Sequence, residues 1–473
     1  MPEGQLAAIL GPKGWISAED SAPWSRDWLE RHGEPPLGVA CPASTDDVAQ
    51  VMAACFRAQV PVVPQGGNTG LCGASVAGKT GAVILNLSRM AGVGVPDLAG
   101  GSVMVEAGLV LARLHDALED TGQMFPLHLG AEGSTQIGGL IGTNAGGSQA
   151  FRYGMMADLV LGLEVVLPDG AIWNGLRSVQ KDNAGYQLRK LFCGAEGTLG
   201  VVTRAVLRLH PAPRRRATAL LALPSFDAAV TFGTGARAEA GEFLQAMEFF
   251  SDPGVDLALR HVAGLVWPLE SRAPVYLLVE LGAGSDCVPL DAILAALLEQ
   301  GMERGLVLDG TLAASGAQRA ALWRLREDQP EGQRLEGPQL KHDISVPPAR
   351  IAEFVARGAE LCEAAVPGVL INPFGHLGDG NIHYNLTPPP GQAGFGGQDS
   401  DLALALAALA SEMGGSFAAE HGLGRSKIAL ADALRPAAER RLHRRIKAVF
   451  DPAGLMNPGV ILAEVDKYNL PIA

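Results

Sequence analysis

The segment PVVPQGGNTGLCGAS (61–75) opens with a short apolar run typical of a strand and continues as a glycine-rich loop. Two more glycine-rich segments follow, HLGAEGSTQIGGLIGTNAGG (128–147) and CGAEGTLGVVT (193–203). Closely spaced glycines allow consecutive backbone N–H groups to point into one concavity, which can bind a pyrophosphate without Lys or Arg. Tight turns between strands would account for one such loop, but three of them favour a bound dinucleotide.

Two known nucleotide-binding motifs help to identify the kind of ligand that these loops bind. The GxGxxG fingerprint of a Rossmann NAD site, placed between a strand and a helix, is absent. The segment GASVAGKT (73–80) does match the P-loop pattern, but residues 81–87 alternate like a strand, whereas a working P-loop leads into a helix. A P-loop nucleotide hydrolase is therefore only a remote alternative.

The rest of the chain mixes strand and helix patterns. A helix start at Ser44 precedes a helical run at 48–58, and a second run at 111–122 predicts a helix closed by Gly122. Asp169-Gly170 predicts the turn of a hairpin. These patterns predict an α+β protein. The expected organisation is a lead-in at 1–35, a first ligand-binding domain at 36–212, a second domain at 213–440 and a C-terminal segment at 441–473.

Composition excludes several classes of protein. The formal net charge is -13, and an acidic surface repels phosphate backbones, so we expect no nucleic-acid partner. The six cysteines have no CxxC spacing, which argues against a disulfide framework, a zinc ribbon and an iron–sulfur cluster. The sequence shows neither a signal peptide nor an apolar run long enough for a transmembrane segment. It therefore predicts a soluble, cytoplasmic protein.

The segment GHLGDGNIHYNL (375–386) suggests a metal site. A turn at Asp379-Gly380 would fold it into a hairpin in which His376 lies opposite His383, and alternation then places Asn385 on the same face. Two imidazoles at that distance can share one metal ion. A pair of solvent-facing histidines on a hairpin is an equally good reading of this segment alone.

Six segments, taken in order, resemble the FAD-linked D-2-hydroxy-acid dehydrogenases of the vanillyl-alcohol-oxidase family, with D-2-hydroxyglutarate and D-lactate dehydrogenases nearest by motif. The resemblance implies a PCMH-type FAD-binding domain, then a substrate domain of the FAD-linked-oxidase C-terminal type with an antiparallel sheet and helices. The last segment should return to the flavin. The matching segments are PVVPQGGNTGLCGAS, GLEVVLPDG, FCGAEGTLGVVT, GHLGDGNIHYN, AAEHGLG and DPAGLMNPG.

The resemblance also implies the residues of the cofactor site. Ala74 stands where many relatives have Gly, and Asn68 stands where relatives that tether flavin covalently have His, so the FAD should be non-covalent. The implied FAD contacts are Pro64, Gly66, Gly67, Asn68, Thr69, Gly70, Gly73, Ala74, Ser134, Gly138, Thr143, Asn144, Ala145, Gly147, Glu196, Gly197, Val202 and Asn457.

A metal and substrate site follows from the same resemblance. The family's two-His-one-Glu metal site falls on His376, His383 and Glu420, with Zn²⁺ favoured, although Mn²⁺, Co²⁺ or Fe²⁺ would also fit. Some relatives have Thr where this chain has Pro330, which puts one substrate contact in doubt. The implied substrate-binding residues are Arg326, Lys341, Asn385 and His421.

The expected reaction is the oxidation of a D-2-hydroxy acid to the 2-oxo acid. The metal would lower the pKa of the substrate hydroxyl, His421 would take its proton as general base, and hydride would pass to N5 of FAD. Metal support by His421 is the alternative to its role as base. Two nearby cations, Arg326 and Lys341, favour D-2-hydroxyglutarate or D-malate over D-lactate.

The remaining expectations concern the electron acceptor, the oligomeric state and an alternative activity. Electrons should leave FAD to an electron-transfer flavoprotein or a quinone, since the sequence carries neither an NAD fingerprint nor cluster cysteines. A homodimer is left open. The alternative activity on the same scaffold is a flavin-dependent lyase or transferase of the alkyl-glycerone-phosphate-synthase type, which would not need the two-histidine hairpin.

Overall fold

The computed structural model describes residues 2–463 and divides into two compact units. The first unit contains the chain up to residue 147, residues 153–211 and the chain from residue 420 onwards. The second unit contains residues 148–152 and 212–419. Mixed helices and sheets in both units agree with the predicted α+β class.

A small sheet in the first unit carries the first glycine loop. Strands Gly38–Ala40 and Val62–Gln65 both pair in parallel with the central strand Val83–Asn86. The glycine loop connects Val62–Gln65 to Val83–Asn86 and contains no helix. The P-loop-like segment at 73–80 therefore leads into a strand, and the nucleotide-hydrolase alternative has no structural basis.

The helix Thr45–Ala58 begins at the predicted helix start and packs against the helix Pro2–Leu10 and the strand Val160–Val166. The Oγ of Ser44 accepts a hydrogen bond from the N–H of Asp47, which caps the first turn. Val48 and Val51 lie in the core of the first unit. The helix ends where Gln59 adopts a left-handed conformation at φ 56°.

The second predicted helix is shorter than expected. It spans Leu111–Leu118 rather than 111–122, because the chain turns at Asp120, which has φ 65°. Gly122, at φ 72°, belongs to this turn and does not close the helix. The predicted hairpin is confirmed, since the N–H of Leu167 donates to the carbonyl of Ala171 across Asp169-Gly170 at 2.8 Å.

An antiparallel sheet of seven strands forms the second unit. Helices such as Phe226–Ala240 and Ile351–Ala365 cover one face, and helices Asp252–His261 and Gly316–Glu327 pack on the other. The strands, in order across the sheet, are Asp309–Leu312, Arg215–Leu223, Val275–Ala283, Leu244–Ser251, Leu370–His376, Asn381–Thr387 and Asp343–Ser345.

The remaining elements have the following bounds. In the first unit, a four-stranded antiparallel sheet has the order Ser102–Glu106, Val201–Arg208, Val160–Val166 and Ile172–Gly175; Trp15–Ser17 edges the small sheet, and Gln123–Met124 pairs with His210–Pro211. Its other helices are Pro2–Leu10, Ala22–Ser25, Ile137–Thr143, Met156–Leu159, Leu188–Phe192, Ile428–Leu434 and Ala437–Phe450. The helix Ala150–Tyr153 spans the change of unit, and the second unit also contains helices Leu290–Glu303, Gln329–Glu336, Pro348–Arg350 (3₁₀) and Asp399–Glu412.

The described residues bear on two features of the composition, the cysteines and the length of the apolar segments. Among residues 2–463 all six cysteines have free thiols. Within the same range, every helix is too short or too polar to cross a membrane.

One buried carboxylate dominates the electrostatics of the seven-stranded sheet. Glu280 is 1% exposed and accepts hydrogen bonds from Arg319 at 2.6 and 3.0 Å, from Arg216 at 2.8 Å and from Trp323 at 2.9 Å. Burial raises the pKa of the Glu280 carboxyl, but these cationic donors outweigh it, so that the pKa lies below its ordinary value. The carboxylate is therefore stable only together with its donors.

We predict that Glu280→Gln lowers the free energy of unfolding by about 1.5–3 kcal/mol, because it removes the charge that accepts hydrogen bonds from the partly exposed Arg216 and Arg319. Asp291→Asn is the control, since its ion pair with Arg215 is exposed and contributes less than about 1 kcal/mol. Urea titration followed by circular dichroism measures both values. Equal stability of the two variants would contradict the prediction.

Candidate active site

All predicted FAD contacts lie in the first unit. The first loop follows the strand Val62–Gln65, the second includes the helix Ile137–Thr143, and the third precedes the strand Val201–Arg208. Eight non-glycine residues of the described chain have positive φ, and four of them are predicted FAD contacts: Asn68, Asn144, Glu196 and Asn457. Because left-handed backbone at non-glycine residues is costly, its concentration there indicates loops shaped for a ligand.

Close packing of backbone explains two glycines of these loops. A Cβ on Gly67 would overlap the carbonyl oxygen of Ser134, and a Cβ on Gly147 would overlap the carbonyl oxygen of His128. The Oε1 of Gln136, in the second loop beside Gly66, is buried and has no hydrogen-bond partner among residues 2–463. The two loops therefore form a backbone-lined cradle with an unsatisfied polar atom, which fits a bound dinucleotide.

Asn457 connects the C-terminal segment to two of the loops. Its Nδ2 donates to the carbonyls of Ala74 and Glu196, both at 2.8 Å, and its own N–H donates to the carbonyl of Val62. Asn457 is 1% exposed. The segment predicted to return to the flavin thus binds the backbone of the first and third loops.

The Glu196 side chain fixes the segment after residue 421. Its carboxylate accepts hydrogen bonds from the N–H groups of Leu423 and Gly424, both at 2.8 Å. Burial raises the pKa of the Glu196 carboxyl, and the two N–H donors oppose the rise. Glu196 therefore holds the Gly422–Gly424 turn against the third glycine loop, since a Cβ on Gly422 would clash with its carboxylate.

In the second unit, the predicted hairpin forms with a different register. His376 lies opposite Asn381, and His383 lies opposite Phe374, so the direct pairing of His376 with His383 was wrong. The turn takes four residues instead of two, because the N–H of Leu377 donates to the carbonyl of Met247 on the neighbouring strand at 2.8 Å. Leu377 is therefore bound to that strand and does not extend the hairpin.

The predicted face of the hairpin is nevertheless retained. The register is shifted by two residues, which is the side-chain period of a strand, so His376 and His383 are diagonal neighbours on one face. Their ring centroids are 5.8 Å apart. Two imidazoles that bind one tetrahedral ion place their ring centres roughly 5–6 Å apart, so the pair fits a shared metal ion. Asn385 lies further along the same face.

A buried glutamate that the sequence analysis did not single out lies against this face. Glu248 is 1% exposed and accepts a hydrogen bond from Nδ1 of His376 at 2.6 Å. Its other oxygen forms an ion pair with Nε of Arg326 at 3.0 Å. The only sequence signal was a lone charge inside the apolar strand LQAMEFFS, and Glu280 in VYLLVELGA gives the same signal.

Arg326 has the environment of a ligand-binding arginine. The side chain is 8% exposed, and its guanidinium lies 4.7 Å from the centre of the Phe374 ring. Apart from the Glu248 pair, no ion pair involves it among residues 2–463. Its terminal nitrogens are therefore available to a carboxylate, whereas Arg324 pairs with Asp328 and Arg334 pairs with exposed Glu331.

The other predicted substrate residues differ in their surroundings. Asn385 is buried and its Nδ2 donates to Oε1 of Gln333 at 2.7 Å. Lys341 is exposed and precedes the strand Asp343–Ser345. Pro330 starts the helix Gln329–Glu336 and has no polar side-chain atom for a substrate.

Glu420 and His421 open the last segment of the first unit. Ala419, the residue before them, ends the second unit, and its N–H donates to the carbonyl of Asp343 at 3.4 Å. Asp343 lies opposite His383 in the sheet. The last residue of the second unit is therefore hydrogen-bonded to the strand Asp343–Ser345, which pairs with the strand that contains His383.

Comparison with known proteins agrees with this architecture. Residues 212–461 match the family model described as FAD linked oxidases, C-terminal domain, and residues 36–175 match the model described as FAD binding domain. The first match covers more than half of the chain. The chain therefore belongs to the family of FAD-linked oxidases and contains a FAD-binding domain, which confirms the predicted fold and the prediction of FAD.

Its similarity to individual curated proteins is equally extensive. The chain is 37% identical to a D-2-hydroxyglutarate dehydrogenase of Xanthomonas citri pv. viticola over 95% of this chain and 94% of that protein. It is 37% identical to the mitochondrial D-2-hydroxyglutarate dehydrogenase of Danio rerio over 91% of this chain and 79% of that one. A D-2-hydroxyglutarate–pyruvate transhydrogenase of Saccharomyces cerevisiae is 34% identical over 93% of this chain and 89% of that one.

Solved structures share the fold at much lower identity. A p-cresol methylhydroxylase has a TM-score of 0.74 at 15% identity and covers 98% of this chain and 96% of its own. An alkyldihydroxyacetonephosphate synthase has a TM-score of 0.71 at 16% identity and covers 97% of this chain and 85% of its own. At these identities the likeness concerns the fold alone.

We predict that the FAD is held non-covalently. The side chain after Gly66-Gly67 is the carboxamide of Asn68, which hydrogen-bonds to Arg26 and Ser75 and is not a nucleophile. After acid precipitation the yellow colour should stay in the supernatant. A yellow pellet that survives washing in denaturant would contradict the prediction.

Proposed function

We propose that this protein oxidises a D-2-hydroxy acid to the corresponding 2-oxo acid, with D-2-hydroxyglutarate as the preferred substrate. The observation that carries the proposal is the set of side chains on one face of the seven-stranded sheet, where His376, His383 and Arg326 converge. The names of the curated relatives support the same substrate.

The two histidines would hold a divalent metal together with Glu420. His376 donates its Nδ1 hydrogen to Glu248, which makes Nε2 the nitrogen that can ligate. Glu420 follows Ala419, which hydrogen-bonds to the strand beside His383, so chain continuity supports it as the third ligand. A bound Zn²⁺ would supply Lewis-acid polarisation of the substrate hydroxyl.

Substrate orientation would fall to Arg326 and Asn385. The terminal nitrogens of Arg326 present a planar pair of donors that matches a carboxylate. Lys341 supplies a second cation for the other carboxylate of a dicarboxylic acid. His421, adjacent to Glu420 in the chain, would accept the hydroxyl proton, and FAD would supply the hydride acceptor when bound.

The acceptor of the electrons is a separate part of the proposal. We favour an electron-transfer flavoprotein or a quinone, because the sequence has neither an NAD fingerprint nor cluster cysteines. The transhydrogenase relative adds pyruvate as an acceptor to be tested. The cytoplasmic location and a homodimer stay predictions.

Anaerobic bleaching of the flavin tests the substrate directly. We expect the fastest reduction with D-2-hydroxyglutarate, a slower reduction with D-malate and D-lactate, and none with the L-acids. Stopped-flow absorbance of the oxidised flavin, with product 2-oxo acid measured by chromatography, gives the order. Fastest reduction by an L-acid, or no net reduction of the flavin by any of these acids, as expected of a lyase or synthase that works without net oxidation, would contradict the proposal.

The metal site predicts a specific loss of turnover. His376→Ala, His383→Ala and Glu420→Ala should each abolish substrate oxidation while the oxidised flavin spectrum is unchanged, because the FAD loops lie in the first unit. His261→Ala is the control, since that histidine pairs with Glu336 on the surface of the second unit. Full activity in a preparation shown by elemental analysis to contain no metal would refute this role.

The cation site predicts a loss of substrate affinity. Arg326→Lys keeps a charge beside Glu248 but loses the paired donors, and we expect KM to rise by about tenfold or more, since such a bond contributes about 1.5–3 kcal/mol. Lys341→Ala should raise KM for dicarboxylates more than for D-lactate. Arg324→Lys, two residues away, is the control. An unchanged KM for both test variants would show that these two cations do not bind the substrate.

A further inference from the structure

We infer that Glu248 is a positioning residue that holds both the metal-ligating His376 and the substrate-binding Arg326 in place. The inference rests on the proposed function, because it assigns a role toward the metal and the substrate. It concerns a residue that neither the sequence motifs nor the family resemblance singled out.

The geometry around Glu248 supports two simultaneous contacts. One carboxylate oxygen is 2.6 Å from Nδ1 of His376, and the other is 3.0 Å from Nε of Arg326. A deprotonated carboxylate only accepts hydrogen bonds, so this contact places the imidazole proton on Nδ1. The lone pair of His376 is then on Nε2, which is the form that binds a metal ion.

The sheet makes this arrangement rigid. Glu248 lies directly opposite His376 in adjacent antiparallel strands, and its neighbour Phe249 lies opposite Gly375. Directly opposed side chains have Cβ atoms about 4.5–5.5 Å apart, which is the reach of a carboxylate–imidazole bond. A slip of either strand by one residue would turn every side chain of that strand to the opposite face.

The charge balance explains why one carboxylate serves both groups. A carboxylate that is 1% exposed is strongly destabilising unless it is paired, and Arg326 supplies the balancing charge with its Nε 3.0 Å from Glu248. The guanidinium plane is held on the Phe374 ring, whose centroid is 5.0 Å from that of His383. Glu248 therefore holds the proposed metal ligand His376 directly and orients Arg326 beside the Phe374 ring.

The test measures metal affinity separately from activity. Wild type and Glu248→Gln are stripped of metal, dialysed to equilibrium against buffered free Zn²⁺, and analysed for bound zinc by mass spectrometry. We expect Glu248→Gln to bind Zn²⁺ 10- to 100-fold more weakly, because it loses the anionic acceptor that orients His376. At saturating Zn²⁺, KM for D-2-hydroxyglutarate should also rise about tenfold, since Arg326 loses its anchor.

Glu280→Gln is the matched control. Glu280 is also 1% exposed, lies on an adjacent strand and is held by arginines, but its partners Arg319 and Trp323 are outside the proposed site. It should lower stability without changing Zn²⁺ affinity. If both variants weaken Zn²⁺ binding equally, the effect of Glu248 is merely structural and the inference is overturned.

The remaining outcomes separate this inference from the proposed function. Zn²⁺ affinity of Glu248→Gln within twofold of wild type would overturn the inference alone. A wild-type protein that binds no Zn²⁺ would instead refute the metal site of the proposed function. If Glu248→Gln fails to fold, the double variant Glu248→Gln/Arg326→Gln removes both buried charges, and wild-type Zn²⁺ affinity in that variant would overturn the inference.

Discussion

The pairing of buried carboxylates constrains the second unit more than any other interaction. Glu248 and Glu280 are each 1% exposed within strands whose other residues are buried and largely apolar. A buried carboxylate requires cationic or N–H partners in fixed positions, and these partners must come from neighbouring strands or covering helices. The helix Gly316–Glu327 supplies Arg319 to Glu280 and Arg326 to Glu248. That helix is thus bound to the sheet by charge as well as by Leu322 and Leu325.

The loops of the first unit that are predicted to bind FAD are shaped by backbone conformation and joined by hydrogen bonds to backbone carbonyls. Positive φ values at Asn68, Asn144, Glu196 and Asn457 bend the chain into turns that few residues adopt without strain. The Asn457 side chain joins the first and third loops by two hydrogen bonds to carbonyl oxygens.

Local signals predicted most of the fold, and tertiary contacts account for what they missed. Ser44 and Asp169-Gly170 act through bonds to near neighbours in the chain, so their helix start and turn were predictable. The hairpin register was not, because Leu377 bonds to Met247 on a strand far away in sequence. The lone Glu248 marked a special position, but only the sheet pairing shows that it faces His376. The shared face of the two histidines was predictable because a shift of two residues preserves it.

The fold by itself does not select a reaction. A p-cresol methylhydroxylase and an alkyldihydroxyacetonephosphate synthase share this architecture at 15–16% identity, so the same backbone is compatible with different chemistry. The distinguishing features are an imidazole pair and a buried glutamate on one face of the antiparallel sheet, and an arginine of the covering helix whose one ion pair among residues 2–463 is with that glutamate. Oxidation of a hydroxy acid needs both a means of lowering the hydroxyl pKa and a fixed site for the carboxylate, and this face provides groups suited to each.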